Sequence, residues 1–387
     1  MLSQKGLILL YLLYYIPALQ SNLIIDIWGK PTPQTTNSPT TTFHSTTFTS
    51  LNPDWEPTTS KSCKCVPAYL CKNNTINTNG AGIIDVRLSE CPSVIEKCCG
   101  SGQIEPSPTP PPKAACGYRN PDGIGIKIKN PTNEAEFGEF PWMVAVFTLE
   151  QKQSQLIYRC GGALIHPQAV LTAAHCVAVD DTQQLKIRAG EWDTQTKKEQ
   201  YPFQDVEVDS IKIHPGYNSE ILYNDIALLF LKKPVELAPH INVICLPPPN
   251  LTVDNARCLS TGWGKDVFGK EGQYQVILKK IDLPMVPRKE CQESLRKTKL
   301  GKYFQLHRSF VCAGGEIGKD TCTGDGGGPL VCPIQGTERY FQVGIVAWGI
   351  GCGMENVPGI YGNVGLFRQW IDEQMGEKNL DITVYQF

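Results

Sequence analysis

Three short segments in the second half of the chain carry residues that could take part in acyl transfer. LTAAHC contains His175, YNDIALLFL contains Asp225, and TGDGGGPL is a glycine-rich run around Gly326. An imidazole whose tautomer is held by a buried carboxylate can accept the proton of a nucleophilic hydroxyl. Because such a pair is of use only when a hydroxyl lies beside it, the first question is which residue could supply that hydroxyl.

The order of these segments, the neighbouring cysteines and a GWG sequence make the region from about Ala135 to Met375 resemble a trypsin-type serine protease. The resemblance implies a double β-barrel with the former active site in the cleft between the barrels. It gives His175 and Asp225 the roles of base and orienting acid, and it places Gly326 at the position of the nucleophile. Loss of the serine in a related hydrolase costs on the order of 10⁶ in turnover, so the resemblance implies a pseudoprotease.

Two threonines are the nearest hydroxyls to this position along the chain. Thr321 and Thr323 flank Cys322, and the geometry of the family turns neither of them toward His175. The resemblance thus argues against either threonine as a substitute nucleophile. The alternative interpretation is a trypsin-like enzyme that is active through an unusual nucleophile.

A second departure from the family concerns activation. Active members insert a new Ile-Val-Gly-Gly terminus beside the aspartate that precedes the nucleophile, and this aspartate is matched by Asp325. The stretch that replaces the terminus is residues 129–132, with the sequence Lys-Asn-Pro-Thr. Burying a Lys or Asn side chain in an apolar socket costs desolvation free energy. We therefore expect Asp325 to have a different partner or to remain in a zymogen-like loop.

The resemblance also implies a pocket for one basic side chain, here called the S1-like pocket. Asp320 matches the acidic residue at the base of this pocket in members that cleave after Arg or Lys, and Gly349 and Gly359 match its open walls. Two interpretations remain open: the pocket still binds a basic side chain, or it is an inherited pocket that has collapsed.

The cysteine content indicates secretion. The chain has 16 cysteines, and disulfides persist in oxidising compartments. For the protease-like region the resemblance implies the pairs Cys116–Cys245, Cys160–Cys176, Cys258–Cys332, Cys291–Cys312 and Cys322–Cys352. The first of these pairs would keep the pro-region attached after cleavage.

A second cysteine cluster lies upstream, in residues 63–99, with the pattern C-x-C-V-P…C…C…CC. It resembles an arthropod clip domain, a module too small to fold stably without cross-links. The resemblance implies the pairs Cys63–Cys98, Cys65–Cys91 and Cys71–Cys99, which the cysteine count alone would not fix. Arg87 is either a nick site for a trypsin-like enzyme or a solvated side chain. Asn73 and Asn250 lie in N-x-T sequons and are candidate glycosylation sites.

The remaining segments differ in composition. Residues 1–21 contain one Lys and an apolar run that is short for a membrane helix, so we predict a secretory signal peptide, with a short membrane anchor as the alternative. Residues 22–62 are rich in Thr, Pro and Ser and are expected to be disordered. A proline-rich linker and pro-region follow at 100–128, then the protease-like domain at 129–378 and a C-terminal tail at 379–387.

The elements that must position the site are predicted to be mainly strands. From Cys116 onward, short β-rich runs alternate with Gly, Pro and Asn turns. The stretch LFRQWIDEQM places Leu366, Trp370 and Ile371 on one face and predicts a terminal helix packed on the barrel. The predicted fold is therefore mainly β, a trypsin-like double β-barrel with a C-terminal helix, preceded by a small disulfide-stapled clip domain.

Charge and ligand spacing argue against nucleic acid and zinc. The net charge is −2, which gives no basic field, and the histidines and cysteines lack zinc-site spacing. No metal and no cofactor are assigned. Glu191, Asp193 and Glu199 could offer oxygens to Ca²⁺, but an ordinary charged surface loop explains them as well.

A clip module joined to a protease-like domain with Gly in place of Ser resembles the clip-domain serine protease homologs of insect and crustacean haemolymph. The resemblance implies a secreted, non-catalytic cofactor in the prophenoloxidase cascade, which makes melanin in innate immunity. It implies cleavage by an upstream trypsin-like protease and, as partners, prophenoloxidase and its activating clip protease. A homo-oligomer is compatible with it; nucleic-acid binding and a membrane span are not expected. The other alternative is a protein that binds microbial surfaces without taking part in the cascade.

Overall fold

The structure is a computed structural model that describes residues 63–67, 96–100, 115–124, 133–150, 155–178, 185–195, 201–249, 251–265, 271–322 and 324–387. The chain divides into two units, Met1–Ser60 and Lys61–Phe387. The first unit lies outside the described residues, and with it the predicted signal peptide and most of the Thr/Pro/Ser-rich arm.

Two short strands of the clip region are described. Strand β1 (Cys63–Pro67) pairs antiparallel with β2 (Glu96–Gly100), and the register places Cys65 opposite Cys98. The cysteine pairs expected in this module, and Asn73 and Arg87 within it, lie outside what the structure describes.

The first barrel is closed by six antiparallel strands in the order β3-β4-β5-β8-β7-β6. Buried Leu185, Ile187 and Ala189 alternate with the more exposed Lys186 and Arg188 along β6, as expected for a strand with one face on a core. The strands are β3 (Met143–Glu150), β4 (Gln155–His166), β5 (Ala169–Thr172), β6 (Leu185–Ala189), β7 (Gln204–Ile213) and β8 (Ala227–Leu231).

The second barrel is closed in the order β10-β11-β14-β13-β12-β9. Its strands are β9 (Arg257–Gly262), β10 (Lys279–Val286), β11 (Phe310–Gly314), β12 (Pro329–Pro333), β13 (Tyr340–Trp348) and β14 (Pro358–Asn363). The pairing of β13 with β14 shifts register between Val346 and Trp348, an irregularity of the kind that redirects side chains at the rims of barrels. The two barrels confirm the predicted fold class.

Three α-helices complete the described part, namely α1 (Ala174–Val177), α2 (Arg288–Arg296) and α3 (Val364–Glu377). The predicted terminal helix is α3, and the side chain of Asn363 caps it by accepting a hydrogen bond from Leu366 N. Its buried face contains Phe367, Ile371 and Met375, whereas Leu366 and Trp370 are only partly buried. Leu366, Trp370 and Ile371 all pack against the core as predicted, and the most deeply buried strip lies beside Leu366 and Trp370. No described helix is long and apolar enough to cross a membrane.

The C-terminal tail folds back after α3. A 3₁₀ helix spans Ile382–Tyr385, and Tyr385 is completely buried. Its hydroxyl donates to Asp372 Oδ1 at 2.7 Å, and the Arg368 guanidinium lies 5.0 Å from the centre of its ring.

Residues 115–124, here called the anchor segment, pack against the second half of the protein. Cys116 forms a disulfide with Cys245, and Gly117 exchanges main-chain hydrogen bonds with Val243 and Tyr340 at 2.8 Å each. The other disulfides of the region join Cys160 to Cys176, Cys258 to Cys332, Cys291 to Cys312 and Cys322 to Cys352, which are the pairs that the resemblance implies. No described cysteine is free.

Candidate functional site

His175 and Asp225 are brought together by neighbouring strands of the first barrel. β5 ends at Thr172, which lies opposite Ala227 of β8. The residues just after β5 and just before β8 are therefore close in space. His175 Nδ1 lies 2.6 Å from Asp225 Oδ2, and the main-chain N–H of His175 donates to Oδ1 at 2.8 Å. Asp225 is completely buried, and both of its oxygens are satisfied by the same residue.

Gly326 reaches the site from the second barrel, shortly before β12. Its carbonyl oxygen accepts a hydrogen bond from Gly161 N at 2.9 Å, which fixes it against the first barrel. A Cβ atom added to Gly326 would lie 2.6 Å from His175 Nε2 and 3.2 Å from Cε1. These distances are shorter than van der Waals contact, so the imidazole occupies part of the space that a side chain at position 326 would need. The site contains the base and its orienting acid but no hydroxyl at the third position.

The neighbouring threonine is engaged elsewhere. Thr321 Oγ1 lies 3.1 Å from the hydroxyl of Tyr361, a buried residue of β14. Within the described residues it forms no hydrogen bond with His175. Thr323 lies outside the described residues. Tyr361 was not anticipated from the sequence, because nothing in a strand sequence such as PGIYGN indicates which distant hydroxyl it will meet.

Asp325 is bound by main-chain amides. Its Oδ1 accepts from Gly264 N at 2.9 Å and its Oδ2 from Cys322 N at 2.8 Å. A Cβ on Gly262 would lie 2.1 Å from Oδ1, so the glycine of the GWG sequence leaves room for the carboxylate. Burial raises the pKa of Asp325 to about 6, and the two amide hydrogen bonds oppose that shift. These amides are its partners; residues 129–132 lie outside the described part.

The S1-like pocket is an open cavity of about 200 Å³. Asp320, Gly349, Gly359 and Trp348 line it together with Gly326. A Cβ on Gly359 would lie 2.8 Å from Asp320 Oδ1, so this glycine makes room for the acid. A Cβ on Gly349 would meet only Gly351 O, at 3.4 Å, so the wall of the pocket is open there. The sequence prediction missed Trp348 of β13, which also lines this pocket.

The carboxyl group at the base of this pocket is only half satisfied. Asp320 Oδ2 accepts from Gly353 N at 3.2 Å, while the buried Oδ1 has no hydrogen-bond partner among the described residues. Burial raises the pKa of Asp320 to about 6, the nearby Asp325 contributes to the shift, and main-chain hydrogen bonds oppose it. An incoming cationic donor would supply both the missing hydrogen bond and the counter-charge.

The described cluster of possible metal ligands at the site contains a disulfide. Cys160, His175 and Cys176 are the one group of three possible ligands that lie close together in the described part. Cys160 and Cys176 are bonded to each other and cannot act as thiolate ligands.

Two acidic residues of the stretch that begins at Glu191 accept hydrogen bonds from nearby donors. The buried carboxylate of Glu191 accepts from Arg188 Nη1 and from Trp192 N, each at 2.9 Å. Asp193 Oδ1 accepts from Gln195 N at 3.0 Å, and Glu199 lies outside the described residues.

Comparison with known proteins agrees with this geometry. The trypsin family model matches residues 130–371, and the model described as serine protease clip domain PPAF-2 matches residues 53–100. Phenoloxidase-activating factor 2 of Galleria mellonella is 54% identical over 295 residues, which cover 72% of this chain and 97% of the relative.

Two mosquito proteins are also similar over most of their length. Inactive CLIP domain-containing serine protease A8 of Anopheles gambiae is 40% identical, covering 80% of this chain and 87% of its own. Inactive CLIP domain-containing serine protease A28 of the same species is 37% identical, with 82% and 90% covered. With a trypsin domain and a clip domain both matched, this chain belongs to the trypsin family and, within it, to the clip-domain serine protease homologs.

Proposed function

We propose that this chain is a secreted, non-catalytic scaffold in the prophenoloxidase cascade. The proposed loss of catalysis rests on one observation: the residue that faces the imidazole is Gly326, which has no side chain. A Cβ at that position would lie 2.6 Å from His175 Nε2. Acyl transfer needs an oxygen nucleophile within reach of the imidazole, and Gly326 provides none. The names of the relatives, a phenoloxidase-activating factor and inactive clip proteases, support the same interpretation.

The S1-like pocket is the feature by which this scaffold would hold a partner. Its base carries Asp320 Oδ1 without a described hydrogen-bond partner, and its cavity is open. An Arg or Lys side chain would give this oxygen a charge-assisted hydrogen bond. Because Gly326 cannot attack the bound chain, the partner would be held without being cut. We assign this role to a basic loop of prophenoloxidase or of its activating clip protease.

Limited cleavage by an upstream trypsin-like protease would regulate the scaffold without dismantling it. The disulfide between Cys116 and Cys245 joins the anchor segment to the protease-like domain. A cut between the anchor segment and the first barrel would therefore leave both parts covalently connected. The disulfides support the secretion that we propose, since disulfides persist outside the reducing cytosol.

Reconstitution tests the proposal. The purified full chain, uncut or after limited cleavage, is added to prophenoloxidase and an activating clip protease, and oxidation of a catechol substrate is followed. We expect the cut chain to increase the yield of active phenoloxidase and Asp320→Asn to reduce that increase. Asp209→Asn, which changes an exposed carboxylate on β7, serves as the matched control. An unchanged phenoloxidase yield, together with sedimentation of the chain on bacteria or glucan, would favour the surface-binding alternative.

A further inference from the structure

A groove on the second barrel, which shares no lining residue with the S1-like pocket, has a cavity of about 260 Å³. We call it the Arg288 groove. Its apolar wall is formed mainly by Leu251, Val253, Val286, Phe310 and Val311. Leu251 is 42% exposed, and the three valines are partly exposed, so this wall is accessible to a ligand.

Two arginines face the same cavity. Arg288, the first residue of α2, donates through Nη1 to Phe310 O at 3.2 Å and through Nη2 to Leu306 O. These bonds hold its guanidinium on the main chain that leads into β11. Arg308 is exposed and lines the groove as well. In the part of the chain that the structure describes, neither guanidinium forms an ion pair with a carboxylate.

The two cations produce a local positive potential. Burial, and after it the charges of Arg288 and Arg308, lower the pKa of the neighbouring His307. Asp254 is the acidic residue in the lining, so the two guanidinium groups leave the groove with a net positive charge. An anionic group is therefore attracted to this wall, and it would find hydrogen-bond donors there.

The cavity is too small to enclose a complete drug-sized ligand, and its size suits one side chain of a larger molecule better. Pockets that enclose drug-sized ligands measure about 300–1,000 Å³, whereas this cavity measures about 260 Å³. We propose that the Arg288 groove binds an extended acidic peptide segment of a partner protein. An aliphatic or aromatic side chain of the segment occupies the cavity, and a neighbouring carboxylate contacts Arg288 and Arg308.

An acidic peptide fits the lining better than a sulfated polysaccharide. A polysaccharide offers anions but no apolar side chain, so it would leave Leu251 and Val253 in contact with water. Its affinity also depends on many cations, whereas the groove presents two arginines beside one aspartate. Both the apolar wall and the arginines are used only by a ligand that carries an apolar and an acidic group side by side.

The test is fluorescence anisotropy with the full disulfide-bonded chain and the fluorescein-labelled peptide acetyl-GFELEG-amide. N-glycans are removed beforehand, because Leu251 is the middle residue of the N-x-T sequon at Asn250. We expect saturable binding that weakens with salt and falls roughly tenfold or more in Arg308→Glu. The glutamine peptide acetyl-GFQLQG-amide should bind the wild type as weakly as the acidic peptide binds Arg308→Glu. Leu251→Ser should also weaken binding of the acidic peptide.

The controls separate the groove from general charge and from the cleft. Lys299→Glu makes the same charge change beyond the far end of α2 and outside the groove, and it should keep wild-type affinity. Asp320→Asn should also leave peptide binding unchanged, so failure here is distinguishable from failure of the proposed function. Equal binding by wild type and Arg308→Glu, or absence of peptide binding by the folded wild type, would overturn the proposal. Binding of a heparin oligosaccharide in place of the peptide would also overturn it.

Discussion

At the level of single residues, the persistence of His175 and Asp225 has a structural explanation. Asp225 is completely buried, and His175 satisfies both of its oxygens through its ring and its main-chain N–H. Replacing the histidine ring would leave a buried carboxylate with half of its hydrogen bonds, which costs about 1–3 kcal/mol or more for a charged group. The pair therefore stabilises the cleft whether or not the protein performs chemistry.

Restoring the hydroxyl should not restore the enzyme. In Gly326→Ser the new Cβ would lie 2.6 Å from His175 Nε2, so the imidazole must move from its position. Residues 129–132 also lack the sequence of an activating terminus. We expect little hydrolysis of a chromogenic Arg substrate and little labelling by an organophosphonate. Gly326→Ala is the control, because it imposes the same displacement of His175 without an oxygen. Robust turnover by Gly326→Ser that His175→Ala abolishes would contradict this expectation.

The carboxyl group of Asp320 should make stability depend on pH. Its pKa is about 6 in the folded protein, compared with the ordinary 3.8, because burial disfavours the charge. Between these values the folded state binds more protons than the unfolded state, so the free energy of unfolding falls as the pH rises, and the loss is complete above about 6.

Asp320→Asn should therefore be more stable than the wild type at neutral pH, by about 1–3 kcal/mol, and this difference should shrink as the pH falls toward 4. Chemical denaturation over this pH range measures it, with Asp209→Asn as the control. Under the proposed function the same ionisation would govern capture of a basic group, so the affinity for benzamidine should rise as the pH passes about 6. Equal unfolding free energies of wild type and Asp320→Asn at neutral pH would contradict the assignment.

At the level of elements, the sequence predicted the barrels and the positions of His175, Asp225 and Gly326, because these lie in short motifs of fixed spacing. It did not predict the environment that distant segments create. The buried face of α3 is centred on Phe367, Ile371 and Met375 because the barrel and the folded-back C-terminus cover that side. Tyr385 lies in the predicted C-terminal tail, and the sequence does not predict its burial because its partners Asp372 and Arg368 lie on another element, α3.

The anchor segment is attached by a buried charge cluster as well as by its disulfide. Arg119 donates to Glu139, a completely buried residue, and Lys280 Nζ lies 2.8 Å from Glu139 Oε2. The Arg119 side chain is only 16% exposed, in contrast to the 46% of Arg257, which bridges two carboxylates on the surface. The two arginines form comparable hydrogen bonds in very different surroundings.

Arg119→Ala should therefore lower the free energy of unfolding by about 2 kcal/mol, since Glu139 would keep only Lys280 as a cationic partner in a buried site. Arg257→Ala should change stability much less, because water screens exposed ion pairs. Urea denaturation of the two variants beside the wild type makes the comparison. Equal losses in both would show that the charges around Glu139 do not stabilise the anchor segment.

At the level of the whole molecule, the consequence of cleavage depends on what holds the parts together. Cys116–Cys245 links positions 129 residues apart in sequence. Cross-links that close long loops constrain the unfolded chain most, and they contribute about 2–4 kcal/mol. Next to this disulfide, Gly117 is hydrogen-bonded to Val243 and Tyr340, and Arg119 to Glu139. The anchor segment thus has a covalent and a non-covalent attachment, and these can be separated by experiment.

Chain cut by trypsin between the anchor segment and the first barrel should migrate as one species on a non-reducing denaturing gel and as two on a reducing gel. In the double variant Cys116→Ala/Cys245→Ala, the cut parts should still co-elute in size-exclusion chromatography under native conditions, because the hydrogen bonds and the Arg119–Glu139 pair remain. They should separate at a lower urea concentration than the cut wild type does. When Arg119→Ala is added to the double variant, the N-terminal part should be released at a still lower urea concentration or without urea. Immediate separation of the cut double variant in native buffer would show that the disulfide alone holds the two parts together.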